Sequence, residues 1–292
     1  MRMKWKSVLA AVLLAALVLL GADIRYGTVT GRHCRLPVLM YHHFSQEAGS
    51  GFTVSAARFR EQMSALKAAG YTAVSIAQVV DYGQGGTPLP DKPVLITMDD
   101  GYTSNLDIAA PILEDLGLCA AVFVIGINEG EAVSAHTGEA LTPPRFSFEE
   151  AAPWVEKGVL DLQSHTYDMH QRPQTGGVSG REGALKKEGE SAEDYRDALL
   201  EDFAQYCRRR EGRVSTPLTA LSYPFGLCSG ETDRVLEEAG AVLTVTVREH
   251  CNTVFAGRPG TLRRLGRFNV DEDITGEALV RKLERWGRGF FV

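Results

Sequence analysis

Short apolar runs alternate along this chain with longer stretches of three- to four-residue periodicity. The runs at 36–41, 72–75, 94–98, 120–125, 160–163, 218–222, 242–247 and 261–265 are apolar on both faces, as buried parallel strands are. Helical periodicity fills the gaps. Residues 58–69 place Phe59, Met63 and Leu66 on one stripe. Residues 104–116 carry Leu106, Ile108, Ile112 and Leu113. Ser147 and Glu150 read as a capping box that opens a helix to Glu156. Residues 191–210 form the longest helix, and 231–239 and 277–286 follow. Repeated strand–helix alternation predicts a parallel α/β architecture. Seven or eight such units favour closure, so the expected fold is a distorted (β/α) barrel of about seven parallel strands. Two long loops interrupt the pattern, at 126–146 and 171–190, and loops of that length are commonly functional or disordered.

The N-terminus follows a different pattern. Arg2, Lys4 and Lys6 precede an apolar run over 8–20, a positive n-region followed by an h-region. The run is short for a spanning helix, which needs roughly 17–25 residues. Leu20-Gly21-Ala22 is a poor cleavage site. Residues 1–24 are therefore expected to be a signal anchor, with a cleaved signal peptide as the alternative. Residues 25–35 read as a linker, and 36–292 as a domain outside the cytoplasm, tethered to the membrane or secreted.

A chain of 292 residues suits one large domain. Its net charge of -6 argues against a nucleic-acid surface. The five cysteines are odd in number and none stands in a CxxC pair, so a zinc–cysteine site is unsupported, and one disulfide can form outside the cell. Cys119, inside an apolar run, reads as a buried thiol.

Candidate chemistry gathers at the ends of the expected strands. Tyr41-His42-His43 ends the first, Asp99-Asp100-Gly101 the third and Ser164-His165 the fifth, with His170 just beyond. Ser222-Tyr223-Pro224-Phe225-Gly226 ends the sixth, and Arg263, Arg264 and Arg267 surround the last. In α/β barrels the carboxyl ends of the strands build the site. Two adjacent carboxylates at a buried strand end destabilise each other unless a cation or proton lies between them. One aspartate and two histidines make an open three-ligand set for a divalent metal, zinc first, with cobalt, nickel or manganese as alternatives. His165 and His170 are five apart, so they would converge from a loop rather than a helix.

These segments resemble the polysaccharide deacetylases of the NodB-homology type, carbohydrate esterase family 4. Thr97-Met98-Asp99-Asp100-Gly101 is similar to the family's first motif, and His165-Thr166-Tyr167-Asp168-Met169-His170 to its second. Ser222-Tyr223-Pro224-Phe225-Gly226 matches the third in part, and the resemblance runs from about Leu36 to Val270. It implies metal-dependent removal of N-acetyl groups from an N-acetylglucosamine polymer of the cell wall or extracellular matrix. It implies Asp99 as general base and Asp100, His165 and His170 as metal ligands. It also implies an oxyanion donor near Tyr223 or Phe225, while Pro224 has no N–H to give. Tyr223 and Phe225 are further candidates for stacking on a sugar, and His42 and His43 for contact with substrate.

The chain departs from the family in three places, one of them the Asp/Trp motif expected before the last segment, which is not evident. Ser222 stands where an arginine usually pairs with the base, and the late histidine that serves as general acid has no counterpart in 261–270. Arg264 or Arg267 is expected to supply the missing positive charge beside Asp99. The leaving amine would take its proton from Asp99 or a water, with His250 as a weaker candidate. Two other readings compete. One is an inactive wall-glycan-binding protein, suggested by the weakened later motifs. The other is a glycoside hydrolase, for which adjacent carboxylates are a poor pair, since that chemistry needs them roughly 5–9.5 Å apart.

Overall fold

The computed structural model describes residues 33–287 apart from Ala48 and Gly176. The segment expected to anchor the chain lies outside the described residues, and among these no helix is long and apolar enough to cross a membrane. Twelve strands are described: β1 (His33–Leu36), β2 (Val38–Tyr41), β3 (His43–Ser45), β4 (Thr53–Ser55), β5 (Thr72–Ala73), β6 (Pro93–Asp100), β7 (Ala120–Val124), β8 (Leu160–Ser164), β9 (Ala220–Ser222), β10 (Leu243–Val245), β11 (Asn252–Phe255) and β12 (Phe268–Asn269). The helices are α1 (Ala56–Ala68), α2 (Ile76–Gly83), α3 (Ala110–Leu116), α4 (Phe148–Glu156), α5 (Ala192–Arg210), α6 (Gly230–Glu238) and α7 (Gly276–Gly287).

Seven strands run parallel in the order β10-β9-β8-β7-β6-β2-β12, and β5 adds to the start of β6. The two ends of this path are joined through the residues just before β12. Leu265 donates its N–H to Thr244 O at 2.8 Å and accepts from Thr246 N at 2.8 Å, in a parallel bridge to β10. The expected barrel of about seven parallel strands is thus present, with a thin seam where it closes.

Alternate strand residues serve two cores, as the two-residue period of a strand requires. Leu39 and Tyr41, Ile96 and Met98, and Val122 and Val124 pack with Phe59, Met63 and Leu66 of α1 and with Phe148 of α4. Val38, Leu95, Phe123, Ala220, Leu243 and Val245 gather instead with Leu262 and Leu265, in the barrel interior. The helices start where their caps allow. Ser147 and Glu150 form the expected reciprocal capping box, and Ser191 caps α5 through the N–H of Asp194.

Several elements differ from expectation. The run at 261–265 is no strand: Pro259 opens a helical turn over Pro259–Leu262, and the sheet pairing falls at Leu265 and β12. The helix expected from Ser104 begins as a π-helical turn, Asn105–Ala109, before α3. Helix α2 and the antiparallel pair β1–β11 were not among the expected elements, although Ser75 and Gln78 form a capping box that opens α2. That pair starts at His33, inside the stretch read as a linker. None of the five cysteines is in a disulfide, and Cys119 is only partly buried. A cavity of about 800 Å³ lined by Pro37, Pro93 and Cys251 lies where β2 and β6 begin, at the end of the barrel away from Asp99 and Asp100.

Candidate active site

Strand β6 brings the two aspartates to the rim by breaking its own geometry. Asp99 has the parity of Leu95 and Thr97 and faces the barrel interior. By the same alternation Asp100 would face outward with Met98. It does not continue the strand: φ is +75° at Asp100 and +74° at Gly101. Aspartate is among the few residues that tolerate the left-handed region, and glycine enters it freely. A Cβ at position 101 would sit 3.0 Å from Val124 Cγ1, so the turn also requires the missing side chain.

Asp100, His165 and His170 converge. Their candidate ligand atoms all lie within 4.8 Å of one another. Nε2 of His165 and Nε2 of His170 each stand 3.5 Å from Asp100 Oδ1. That oxygen is buried and has no hydrogen-bond partner. A buried acceptor left without a donor costs roughly 1–3 kcal/mol, and a cation between the three groups removes that cost. His165 Nδ1 lies 2.8 Å from Ser222 O. A carbonyl only accepts, so Nδ1 carries the proton and the Nε2 lone pair faces Asp100. Burial, and then His165, push His170 down to about 4, which keeps its imidazole neutral, the ligating form. Burial raises the Asp100 carboxyl, but His170, His165 and Arg145 outweigh it and hold the group below its ordinary value. One carboxylate oxygen and two imidazole nitrogens, closely spaced, fit a divalent metal.

Asp99 is held differently. Arg267 Nη1 and Nη2 donate to its two oxygens at 2.7 Å each. Ser222 Oγ donates to Oδ2 at 3.3 Å and accepts from Arg267 Nη2 at 3.0 Å. Arg267 is fully buried, and its Nε donates to Thr246 O at 2.9 Å. Burial raises the Asp99 carboxyl, yet Arg267 and then His165 hold it well below the usual carboxylate range. Arg264 is not part of this arrangement. Its side chain is about half exposed, with Nε 3.8 Å from Asp233 Oδ2.

The other expected site residues divide. His42 follows β2, and its charge couples to Asp99, Asp100 and His165. Burial lowers its pKa while the two aspartates oppose that. His43 turns aside, with Nδ1 2.8 Å from Ser104 Oγ. The Phe225 ring lies tilted against His170, centroids 4.4 Å apart, under the Arg172 guanidinium. Tyr223 is buried away from the rim: its hydroxyl donates to Asp233 and its N–H to Val245 O. His250 neighbours Arg248 and Gly266.

Several contributors carried no sequence signal. The π-helical turn places Ser104 and Asn105 so that Asn105 Nδ2 donates to His42 O at 2.8 Å. Arg145, at the end of a long loop, lies 3.9 Å from Asp100 Oδ2 with its guanidinium 3.6 Å over the Tyr102 ring. The two long loops meet where His136 Nε2 and Gln171 Nε2 approach Asp168 Oδ1, at 2.6 and 2.9 Å. A polar-rich loop hints at function, but nothing local says which of its residues turns inward.

The polysaccharide deacetylase family model matches residues 86–243. The chain is 24% identical over 222 residues to the poly-beta-1,6-N-acetyl-D-glucosamine N-deacetylase of Escherichia coli (strain K12), covering 71% of this chain and 33% of that protein. It thus spans about a third of the length of this relative. Identity to the enzyme of the same name from Staphylococcus epidermidis is 23% over 231 residues, covering 79% of this chain and 72% of that one. The solved structure of IcaB from Ammonifex degensii superposes with a TM-score of 0.67 at 25% identity, over 87% of this chain and 97% of that one. The family match covers more than half of the chain: this protein belongs to the polysaccharide deacetylase family.

Proposed function

We propose that this chain is a metal-dependent hydrolase that removes N-acetyl groups from an N-acetylglucosamine polymer outside the cell. The observation that carries the reading is the orphaned Oδ1 of Asp100, faced by two imidazole nitrogens at 3.5 Å each. Family membership and the names of the relatives support this reaction and this class of substrate. Asp100, His165 and His170 would hold the metal. Zinc suits the two nitrogen donors, and cobalt, nickel and manganese are the alternatives. The N-terminal basic and apolar segment would take the domain across the membrane and keep it there.

A divalent cation in such a site polarises an acyl carbonyl and lowers the pKa of water. The protein's own groups divide the remaining work. Asp99 accepts the proton of the attacking water at Oδ1, which keeps a second lone pair beside its bond to Arg267. Arg267 keeps Asp99 ionised between turnovers. Asp99 then passes that proton to the leaving amine, since the last segment offers no histidine for the role, and His42 is left as a candidate for contact with substrate. The N–H of Phe225 is the remaining oxyanion donor of its segment, because Pro224 has none and Tyr223 gives its own to Val245.

The test is to incubate the purified protein with an acetylated β-1,6-linked glucosamine oligomer and added zinc, then measure acetate and chain length. Acetate release at constant length supports the reading. Shortened chains, or bound glycan without acetate, overturn it.

A further inference from the structure

We propose that Asp202 is a positioning residue that sets the affinity of the metal site by clamping the loop between its two histidines; this rests on the metal reading of Asp100, His165 and His170. The loop leaves β8 at Ser164, and His165 and His170 stand at its two ends. Between them Thr166 has φ +68°. A β-branched residue in the left-handed region is strained, and it persists only where its surroundings hold it.

The restraints come from two sides. From the β7 side, the carbonyls of Thr166 and Tyr167 accept from Gly126 N at 3.0 Å and Ile127 N at 2.9 Å. From the opposite side, Asp202 on α5 accepts the N–H groups of Tyr167 and Asp168, at 2.8 Å to each of its two oxygens. The next N–H, that of Met169, goes to Thr166 Oγ1 at 3.2 Å. One side chain therefore satisfies the two central donors of the loop, and it does so from a helix. The long helix gives the clamp a rigid base, while the loop itself has no regular structure.

The function follows from spacing. His165 is fixed by its own Nδ1 bond to Ser222 O. Among the described residues no hydrogen bond of comparable length holds His170, whose ring lies tilted against Phe225. Its place relative to Asp100 depends on the loop path, and so on Asp202. Residues that orient metal ligands without touching the metal typically change affinity by about 10- to 100-fold when removed.

Zinc affinity of the full chain is measured by competition with a chromophoric chelator, together with the visible absorption of the cobalt form. Asp202→Asn keeps the size but puts an NH2 group where an acceptor is needed. It should bind zinc about 10- to 100-fold more weakly and shift the cobalt absorption bands. Asp202→Glu, which keeps the charge but moves it by one methylene, should lie between; it also serves if the amide variant does not fold. Wild-type affinity and an unchanged cobalt spectrum in the variant that folds overturn the clamp. His170→Ala is the control. If the wild type binds no zinc, or loses none of its affinity through His170→Ala, the metal reading itself fails and the clamp falls with it.

Discussion

Arg267 and Asp99 stand 168 positions apart in the chain and meet in the barrel interior through two 2.7 Å hydrogen bonds. Both side chains are almost wholly out of water, at 0% and 3% exposure. In the members of this family that the sequence resembles, an arginine at the position of Ser222 would serve Asp99. Here Ser222 bonds to both partners, and the guanidinium reaches Asp99 from the seam that closes the barrel.

Removing one member of a buried ion pair leaves the other charged and unpaired. Arg267→Met should therefore cost about 3–5 kcal/mol of stability, read from urea unfolding. Adding Asp99→Asn to it should recover part of that loss. An unchanged unfolding midpoint in the single variant would contradict the paired burial.

Arg264→Ala should behave quite differently. The side chain is half exposed and only loosely near Asp233, so the change should stay within about 0.5 kcal/mol. Acetate release should match the wild type. A loss of activity like that of Arg267→Met would place Arg264 in the site after all.

His42→Gln separates substrate contact from metal binding. Its loss should raise KM for the glycan while zinc affinity stays at the wild-type value. An unchanged KM would take His42 out of the substrate's path.

Chelation should abolish acetate release, and zinc should restore it. Ligand bound only by the folded state at 100-fold excess over Kd adds about 2.7 kcal/mol, so zinc should raise the wild-type Tm. Asp100→Asn should show no such rise, and an equal rise would locate the metal at other residues.

Burial pushes the Asp202 carboxyl from its ordinary 3.8 up to about 6, against the pull of the two N–H bonds. Between those values the folded state holds more protons than the unfolded state. The contribution is fully present below pH 3.8 and is lost as pH rises through about 6. Its size is at most about 3 kcal/mol. The stability of the wild type relative to Asp202→Asn should therefore fall between pH 4 and 7 in urea titrations. A flat difference would mean that the carboxyl is not buried as described.

Much of this protein was legible from its sequence, for local reasons. Buried parallel strands need apolar residues on both faces, so β2, β6, β7 and β8 announced themselves. A capping box marked α4, and helical periodicity marked α5. The first two motifs named Asp99, Asp100, His165 and His170, because their chemistry is carried by residue types within one short segment. Tertiary structure decided what depends on distant partners. Arg264 and Arg267 are three residues apart, and only closure of the barrel puts one beside Asp99 and the other in solvent. Tyr223 and Phe225 share one segment, yet the first is spent on Asp233 and the second lines the rim. Asp202 and Arg145 lie on a helix and a loop with no motif at all. A sequence specifies which groups are present and how local backbone disposes them. Which of them share a dielectric and a hydrogen bond is set when the chain closes on itself.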